Sequence, residues 1–459
     1  MNQACRIRKR AAGWGIFSLF LGSVSFAVGA DSLNWRKDKG LVDADISSWS
    51  LVRTLETISE ATGWQIYLEP GTQRKVSTKF KERPRDQALD LLLGNLGRVL
   101  LPGTNGGPSR FLVFRNTEKD ATRLIRPPDK KGPKPIPNEL IVTLKPGKSA
   151  DELAKKIGAK IVGHSTGLNS VRFQFADEQT TKNERDSLLN NEDVASVDPN
   201  FPVPTQPVPE DSGTAAMNNL KLQPLKDGAP IVIAQIDTSV QWQGNSADDF
   251  LLSEVSVAGP CDPSGDRPTH GTSMSATLLK GVSAFNDCNS GSRVRILPVD
   301  VYGCNPATTT YEVAEGIYQA MQKGASVINL SLGSEGDTPY LHDVIKQGVA
   351  AGRVFVASAG NTPVTSPTFP AAYPEVIAVT AGDAQGKLAP YANRGDFVDV
   401  MAPGTAVVSF NGQQWRVSGT SPAAAYISGA IAGRVDCGGQ SLAQAAAGIQ
   451  KALPPPTAP

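Results

Sequence analysis

Histidine is the scarcest informative residue in this sequence: 459 positions hold three, His164, His270 and His342. Any chemistry that needs an imidazole must find it among them. Excess charge of either sign is also lacking, with 45 basic against 44 acidic residues, so no electrostatic footprint for nucleic acid exists. Long apolar runs are limited to one, residues 11–26. It follows Arg6, Arg8, Lys9 and Arg10 and leads into Ala27, Val28, Gly29 and Ala30. A basic start, an apolar middle and a small-residue exit read as a cleavable export signal, 1–30, rather than a membrane anchor. The expected location is the periplasm or the cell exterior, as a soluble chain. Cysteine is sparse. Cys5 leaves with the signal, and Cys261, Cys288, Cys304 and Cys437 remain, an even number in an oxidising compartment. They lack metal-ligand spacing. Three pairings are open; the short loop favours Cys261 with Cys288, and an unpaired Cys437 is the alternative.

Proline, by contrast, is abundant at 34 residues, and it clusters at 126–137 and 202–209, where no regular element can persist. These breaks divide the mature chain into modules at 31–116, 137–201 and 217–453, with linkers at 117–136 and 202–216 and a tail at 454–459. In the first module Leu51, Leu55 and Ile58 recur at helical spacing behind a capping Ser50. Strands are expected at 65–68, 76–80 and 111–114, and a second helix carries Ala88, Leu89, Leu92, Leu93 and Leu96. The run 44–66, with its Gly63 turn, and the helix from Ala88 to Leu93 resemble the short N-terminal (STN) domain of secretins and TonB-dependent transducers. No catalytic constellation sits there, so the module reads as a binding unit for an envelope partner.

The second module alternates strand (139–144), helix (150–157), strand (160–162), strand (171–175), helix (180–189) and strand (194–198). That order predicts a ferredoxin-like α+β unit. Its terminal phrases, 137–147 and 190–200, resemble the inhibitor I9-like propeptide of subtilisin-like proteases. The resemblance implies an intramolecular chaperone that also inhibits its own enzyme.

In the third module apolar, β-branched runs at 231–236, 294–299, 327–330, 354–357 and 376–379 alternate with helices. The pattern predicts an α/β fold with a parallel sheet covered on both faces, whose site lies at the carboxyl ends of the strands. Asp237 ends the first strand, His270 opens a helix, and Asn361 follows the fourth strand. Ser421 begins a helix of small residues after Gly419 and Thr420. A serine there is either an N-cap or a nucleophile near backbone N–H groups that stabilise an oxyanion. Histidine order decides between them. No histidine follows Ser421, which excludes the α/β-hydrolase order. His342 lies inside an ordinary amphipathic helix, and His164 belongs to the second module. The order Asp237, His270, Ser421 remains.

Six short motifs now stand in one order: Ile236-Asp237-Thr238, His270-Gly271-Thr272, Ser331-Leu332-Gly333, Ala359-Gly360-Asn361, Ala402-Pro403-Gly404 and Gly419-Thr420-Ser421. Together they resemble the subtilisin-like (S8) serine endopeptidases. The resemblance implies an Asp237-His270-Ser421 triad, Asn361 as oxyanion donor, and Ser331, Leu332 and Gly333 as backbone that binds protein or peptide substrates. It implies no cofactor, and calcium is left open because the loop 281–293 holds one carboxylate, Asp287. Ser239, Ser273 and Ala425 depart from the family pattern of glycine, histidine and proline. None of them removes a proton-transfer group. The rival reading is an envelope sensor or binding protein built on a weak or inactive protease fold. Self-processing is expected between Glu210 and Met217, in a segment taken as extended and accessible.

Overall fold

The computed structural model describes residues 32–36, 40–72, 74–103, 109–125, 133–206, 209–212, 222–225, 227–285 and 291–455. The export signal, Cys288, Asp287 and most of the first proline-rich break lie outside them. Among the described residues no helix is long and apolar enough to cross a membrane.

The first unit runs β1 (Ser32–Arg36), β2 (Leu41–Ser50), α1 (Leu51–Thr62), β3 (Gln65–Leu68), β4 (Lys75–Pro84), α2 (Arg85–Leu93), β5 (Gly97–Leu101), β6 (Arg110–Phe114) and β7 (Arg123–Ile125). Ser50 caps α1 by accepting from the Arg53 N–H at 3.1 Å. Gly63 ends the helix in the left-handed conformation, φ 74°, which a glycine adopts without a Cβ clash. Two sheets result, β1-β2-β4 and β5-β6-β3-β7. Leu51, Leu55 and Ile58 meet Ala88, Leu89, Leu92 and Leu93 in one core.

The second unit is β8 (Glu139–Leu144), α3 (Ala150–Ile157), β9 (Lys160–Ser165), β10 (Ser170–Gln174), α4 (Glu178–Leu188) and β11 (Val194–Pro199). Its sheet order β11-β8-β10-β9, antiparallel throughout, is the ferredoxin-like arrangement expected. The chain does not then become a free linker. Pro202–Pro204 (β12) and Glu210–Asp211 (β13) are strands, each paired with the third unit, and Val203 is buried. The segment is extended and mostly exposed, as expected, but it is paired rather than free; residues 213–217 of the expected processing window lie outside the described residues.

The third unit holds a seven-stranded parallel sheet, built from β14 (Ile231–Asp237), β15 (Val255–Ser256), β16 (Val294–Asp300), β18 (Val327–Leu330), β19 (Val354–Ser358), β20 (Val376–Gly382) and β21 (Val400–Pro403). The strand order is β15-β16-β14-β18-β19-β20-β21. Alternate residues face opposite layers, as a pleat requires. Val232, Ala234 and Ile236 pack under α6 (Thr310–Gln322) and α7 (Pro339–Ala350). Ile231 and Ile233 pack under α5 (His270–Phe285), α8 (Thr420–Gly438) and α9 (Leu442–Ala452). The strand β17 (Ala307–Thr309) takes β12, and the hairpin β22 (Thr405–Phe410) with β23 (Gln413–Ser418) takes β13.

Cys261 is bonded to Cys304, not to Cys288 as loop length suggested, and Cys437 is disulfide-bonded too. Spatial proximity after folding, not sequence distance, selected the pair. The bridge ties the loop before His270 to the turn before β17.

Candidate active site

Asp237 is the last residue of β14, and the fold buries it to 1 % exposure. Its two carboxylate oxygens lie 2.8 and 2.9 Å from His270 Nδ1. His270 is the first residue of α5. Gln235, two residues back on the same strand, donates from its side chain to Gly271 O at 2.7 Å and accepts from Ser275 Oγ at 2.7 Å. The Gly271 N–H in turn donates to Thr238 Oγ1 at 2.9 Å. Strand end and helix start are thus stitched together, and a Cβ on Gly271 would lie 2.1 Å from Thr238 O, so only glycine fits. A neutral imidazole that donates from Nδ1 to a carboxylate keeps Nε2 as a basic acceptor.

Ser421 is the second residue of α8, whose N-cap is Gly419 and uses no side-chain cap. The capping reading of this serine is therefore wrong. Its hydroxyl donates to Ser331 O at 3.2 Å, and among the described residues no hydrogen bond joins it to His270. Ser331 Oγ returns a bond to Ser421 O at 3.0 Å, and Asn329 Nδ2 donates to Ser331 Oγ at 3.0 Å. Ser428 Oγ donates to Asn329 Oδ1 at 2.9 Å. This buried chain fixes the first two turns of α8 against the end of β18.

Asn361 follows β19. Its Oδ1 accepts from the Thr420 N–H at 2.8 Å and from Thr420 Oγ1 at 3.1 Å, while the Thr420 hydroxyl accepts from the Gly360 N–H at 3.0 Å. With Oδ1 saturated, Nδ2 is the end left to donate into the cleft. A Cβ at Gly419 would stand 3.0 Å from that Nδ2.

The three departures from the family pattern find partners. Ser239 donates to the Glu254 carboxylate at 2.9 Å. Ser273 donates back to Thr269 O at 3.0 Å inside α5. Ala425 is fully buried, where α8 meets α5. That contact explains the small residues: a Cβ on Gly281 would lie 2.1 Å from Tyr426 O, and one on Gly429 2.0 Å from Leu278 O. At these glycines the close approach is helix against helix, while the same helix packs on the sheet beside Val356, Ile377 and Val379.

A cleft of about 480 Å³ opens beside Asn361, bordered by Gly333, Ser334, Gly336, Ser358 and Thr368. The chain's own Phe201 to Gln206 enters it. Phe201 covers Gly336 so closely that a Cβ there would lie 2.2 Å from its ring. Ser331 and Leu332 are buried behind the cleft, and Gly333 lines it. The backbone that pairs with the tail is β17, Pro202 opposite Thr309 and Pro204 opposite Ala307. Neither β17 nor Gln235, Asn329 and Ser428 came out of the sequence reading, and Thr420 did so only as part of the motif around Ser421. Gln235 and Asn329 did carry a signal, a polar residue inside an otherwise apolar buried strand.

The second unit covers α6 and α7. Asn200 accepts from Thr310 Oγ1 and the Tyr311 N–H at 3.1 and 3.2 Å, at the first turn of α6. Arg172 binds Glu312, and Ser170 Oγ bonds the Tyr340 hydroxyl at 2.6 Å. Burial against α7 raises the Asp198 carboxyl above its usual range. Among the described residues no group of three or more His, Cys, Asp or Glu is placed to hold a metal ion.

Comparison with known proteins agrees with this geometry. Residues 228–435 match the subtilase family, Peptidase S8, and residues 125–200 match the fervidolysin N-terminal prodomain. A thermophilic serine proteinase of Bacillus sp. (strain AK1) is 30 % identical over 312 residues, 65 % of this chain and 77 % of that protein. Thermitase of Thermoactinomyces vulgaris is 31 % identical over 234 residues, 49 % of this chain and 82 % of that protein. The epidermin leader peptide processing serine protease of Staphylococcus aureus shares the fold, with a TM-score of 0.50 at 18 % identity, over 65 % of this chain and 89 % of that one. The chain belongs to the subtilase family and is a serine endopeptidase of the S8 type that carries an N-terminal prodomain.

Proposed function

We propose that the protein is exported, matures by cutting itself, and hydrolyses peptide bonds through Asp237, His270 and Ser421. The observation that carries this is the Asp237 carboxylate held at 2.8 Å from His270 Nδ1, one helix start away from a serine that does not act as a cap. Ser421 Oγ rotates from Ser331 O to His270 Nε2, gives up its proton there and attacks the scissile carbonyl. Asn361 Nδ2 and the Ser421 N–H receive the oxyanion. His270 passes the proton to the leaving amine, Asp237 stabilises the imidazolium, and water repeats the cycle on the acyl-enzyme. The backbone of Ser331, Leu332 and Gly333 pairs with an extended substrate, Gly333 lining the cleft.

The modules follow the same reading: export signal 1–30, an STN-like unit from 31 for an envelope partner, which runs past the expected boundary at 116 because β7 pairs with β3, inhibitory prodomain 137–201, processing segment 202–216 and peptidase 217–453. The tail brings Gln206 into the cleft that Asn361 lines, and Pro207 and Pro209 follow it in sequence. A proline nitrogen on the leaving side lacks the N–H that a strand-like substrate donates. Cleavage between Glu210 and Met217 therefore waits until the tail slips forward, which makes maturation slow. Treating the purified precursor with a fluorophosphonate and measuring intact mass tests the triad. Wild type should gain one adduct with the reagent and lose its prodomain without it, while Ser421→Ala does neither. Ser421→Ala and His270→Ala together should be no worse than either alone; additive losses would break the triad apart.

A further inference from the structure

The strand β23 has two edges. β22 fills one, and the other holds Glu210 opposite Arg416 and Asp211 opposite Trp415. Beyond them Ser212 donates to Gln414 O from its N–H at 3.1 Å and from Oγ at 3.0 Å. The Arg416 guanidinium donates to the Glu210 carboxylate at 2.7 Å. Two residues separate the end of β23, Ser418, from Ser421, so this edge leads directly to the nucleophile. Across the cleft the same tail pairs with β17 through Pro202–Pro204, and Gln206 and Asn361 line one cleft. The described parts of the tail are therefore held at two strand edges, β17 and β23. Three residues stand between Gln206 and Glu210, so with Gln206 before the cut bond Glu210 is the fourth residue beyond it.

We propose that this edge of β23, residues 414–416, is a recognition site for the part of a substrate C-terminal to the cut bond, taking extended segments with acidic residues about four and five positions beyond it. The inference rests on the catalytic reading above. Backbone pairing is indifferent to sequence and rewards length; Arg416 adds the charge preference. The ion pair is largely exposed, at 53 % for Arg416 and 71 % for Glu210, so the preference is modest and weakens with salt.

Three internally quenched peptides with one common N-terminal half test it on the matured enzyme. One ends two residues past the cut, one continues for six with Glu-Asp at the fourth and fifth positions, and one carries Lys-Lys there. The long acidic peptide should show kcat/KM about tenfold above the short one, from the added backbone pairs, and about fivefold above the Lys-Lys peptide. Arg416→Glu should reverse the acidic-to-basic ratio measured within that variant. Equal kcat/KM for all three, or an unchanged ratio in Arg416→Glu, overturns the site. A peptide p-nitroanilide with nothing beyond the cut bond reports the triad separately. In Ser421→Ala precursor, where no hydrolysis is needed, Glu210→Lys with Asp211→Lys should speed amide exchange at residues 414–416. If the anilide is not cut, that exchange alone decides: faster exchange supports the site, and unchanged exchange overturns it.

Discussion

Thr420 orients Asn361 by donating to its Oδ1 from both its N–H and its hydroxyl, so the aim of the proposed oxyanion donor depends on Thr420. Removing the donor in Asn361→Ala should lower kcat by about 10²–10³. Gly419→Ala places a methyl 3.0 Å from Nδ2 and forces the amide aside by a few tenths of an ångström. It should lower kcat by about tenfold with KM nearly unchanged, and steady-state kinetics on one peptide anilide would show both effects. A kcat unchanged by Gly419→Ala would mean that the amide has room to yield. The placements of Asp237, His270 and Ser421 were legible in the sequence because each stands at the end of a strand or the start of a helix. Thr420's grip on Asn361 was not, because a hydrogen bond across 59 residues has no local signature.

At the level of elements, the α5–α8 contact is the least forgiving. Gly429→Ala drives a methyl to 2.0 Å from Leu278 O, a backbone atom that cannot turn away. Helix separation should cost about 1–3 kcal/mol, read by urea unfolding of the Ser421→Ala protein. A second prediction concerns β11. Burial raises Asp198 above the usual carboxyl range, the nearby Asp343 raises it further, and Ser196, the Tyr340 N–H and Arg185 oppose this. A raised carboxyl favours the docked state while protonated. Its contribution is full below the ordinary carboxyl range and is lost as pH climbs through the raised value. Prodomain inhibition should therefore weaken as pH rises above the ordinary carboxyl range, about pH 4, and Asp198→Asn should flatten that slope and tighten inhibition at the higher pH. A slope that survives the substitution assigns the effect elsewhere. The strands at 231–236, 327–330 and 376–379 could be read from apolar runs. β15 and β21 could not, the first being two residues long and the second ending in proline.

For the molecule as a whole, the Cys261–Cys304 bridge closes a loop of 43 residues around β16 and α5, joining the approach to His270 with the approach to β17. Chain-entropy reasoning assigns such a loop about 2–4 kcal/mol. Replacing both cysteines with serine should lower unfolding stability by that amount and raise KM for long peptides more than it lowers kcat. Equal effects on both constants would deny β17 its substrate role. The modular layout was readable from its proline clusters, but proline density also suggested a loose tether where the chain is docked.

That docked tail governs how activity arrives in time. A covalent tether presents its strands to the cleft at an effective concentration that dilution cannot lower. After the cut β12 and Glu210 of β13 stay with the prodomain, no longer joined to the peptidase. The prodomain end then dissociates like any free inhibitor. Freshly matured enzyme should stay silent in a concentrated sample and wake on dilution, with a lag set by how fast the prodomain leaves α6 and α7.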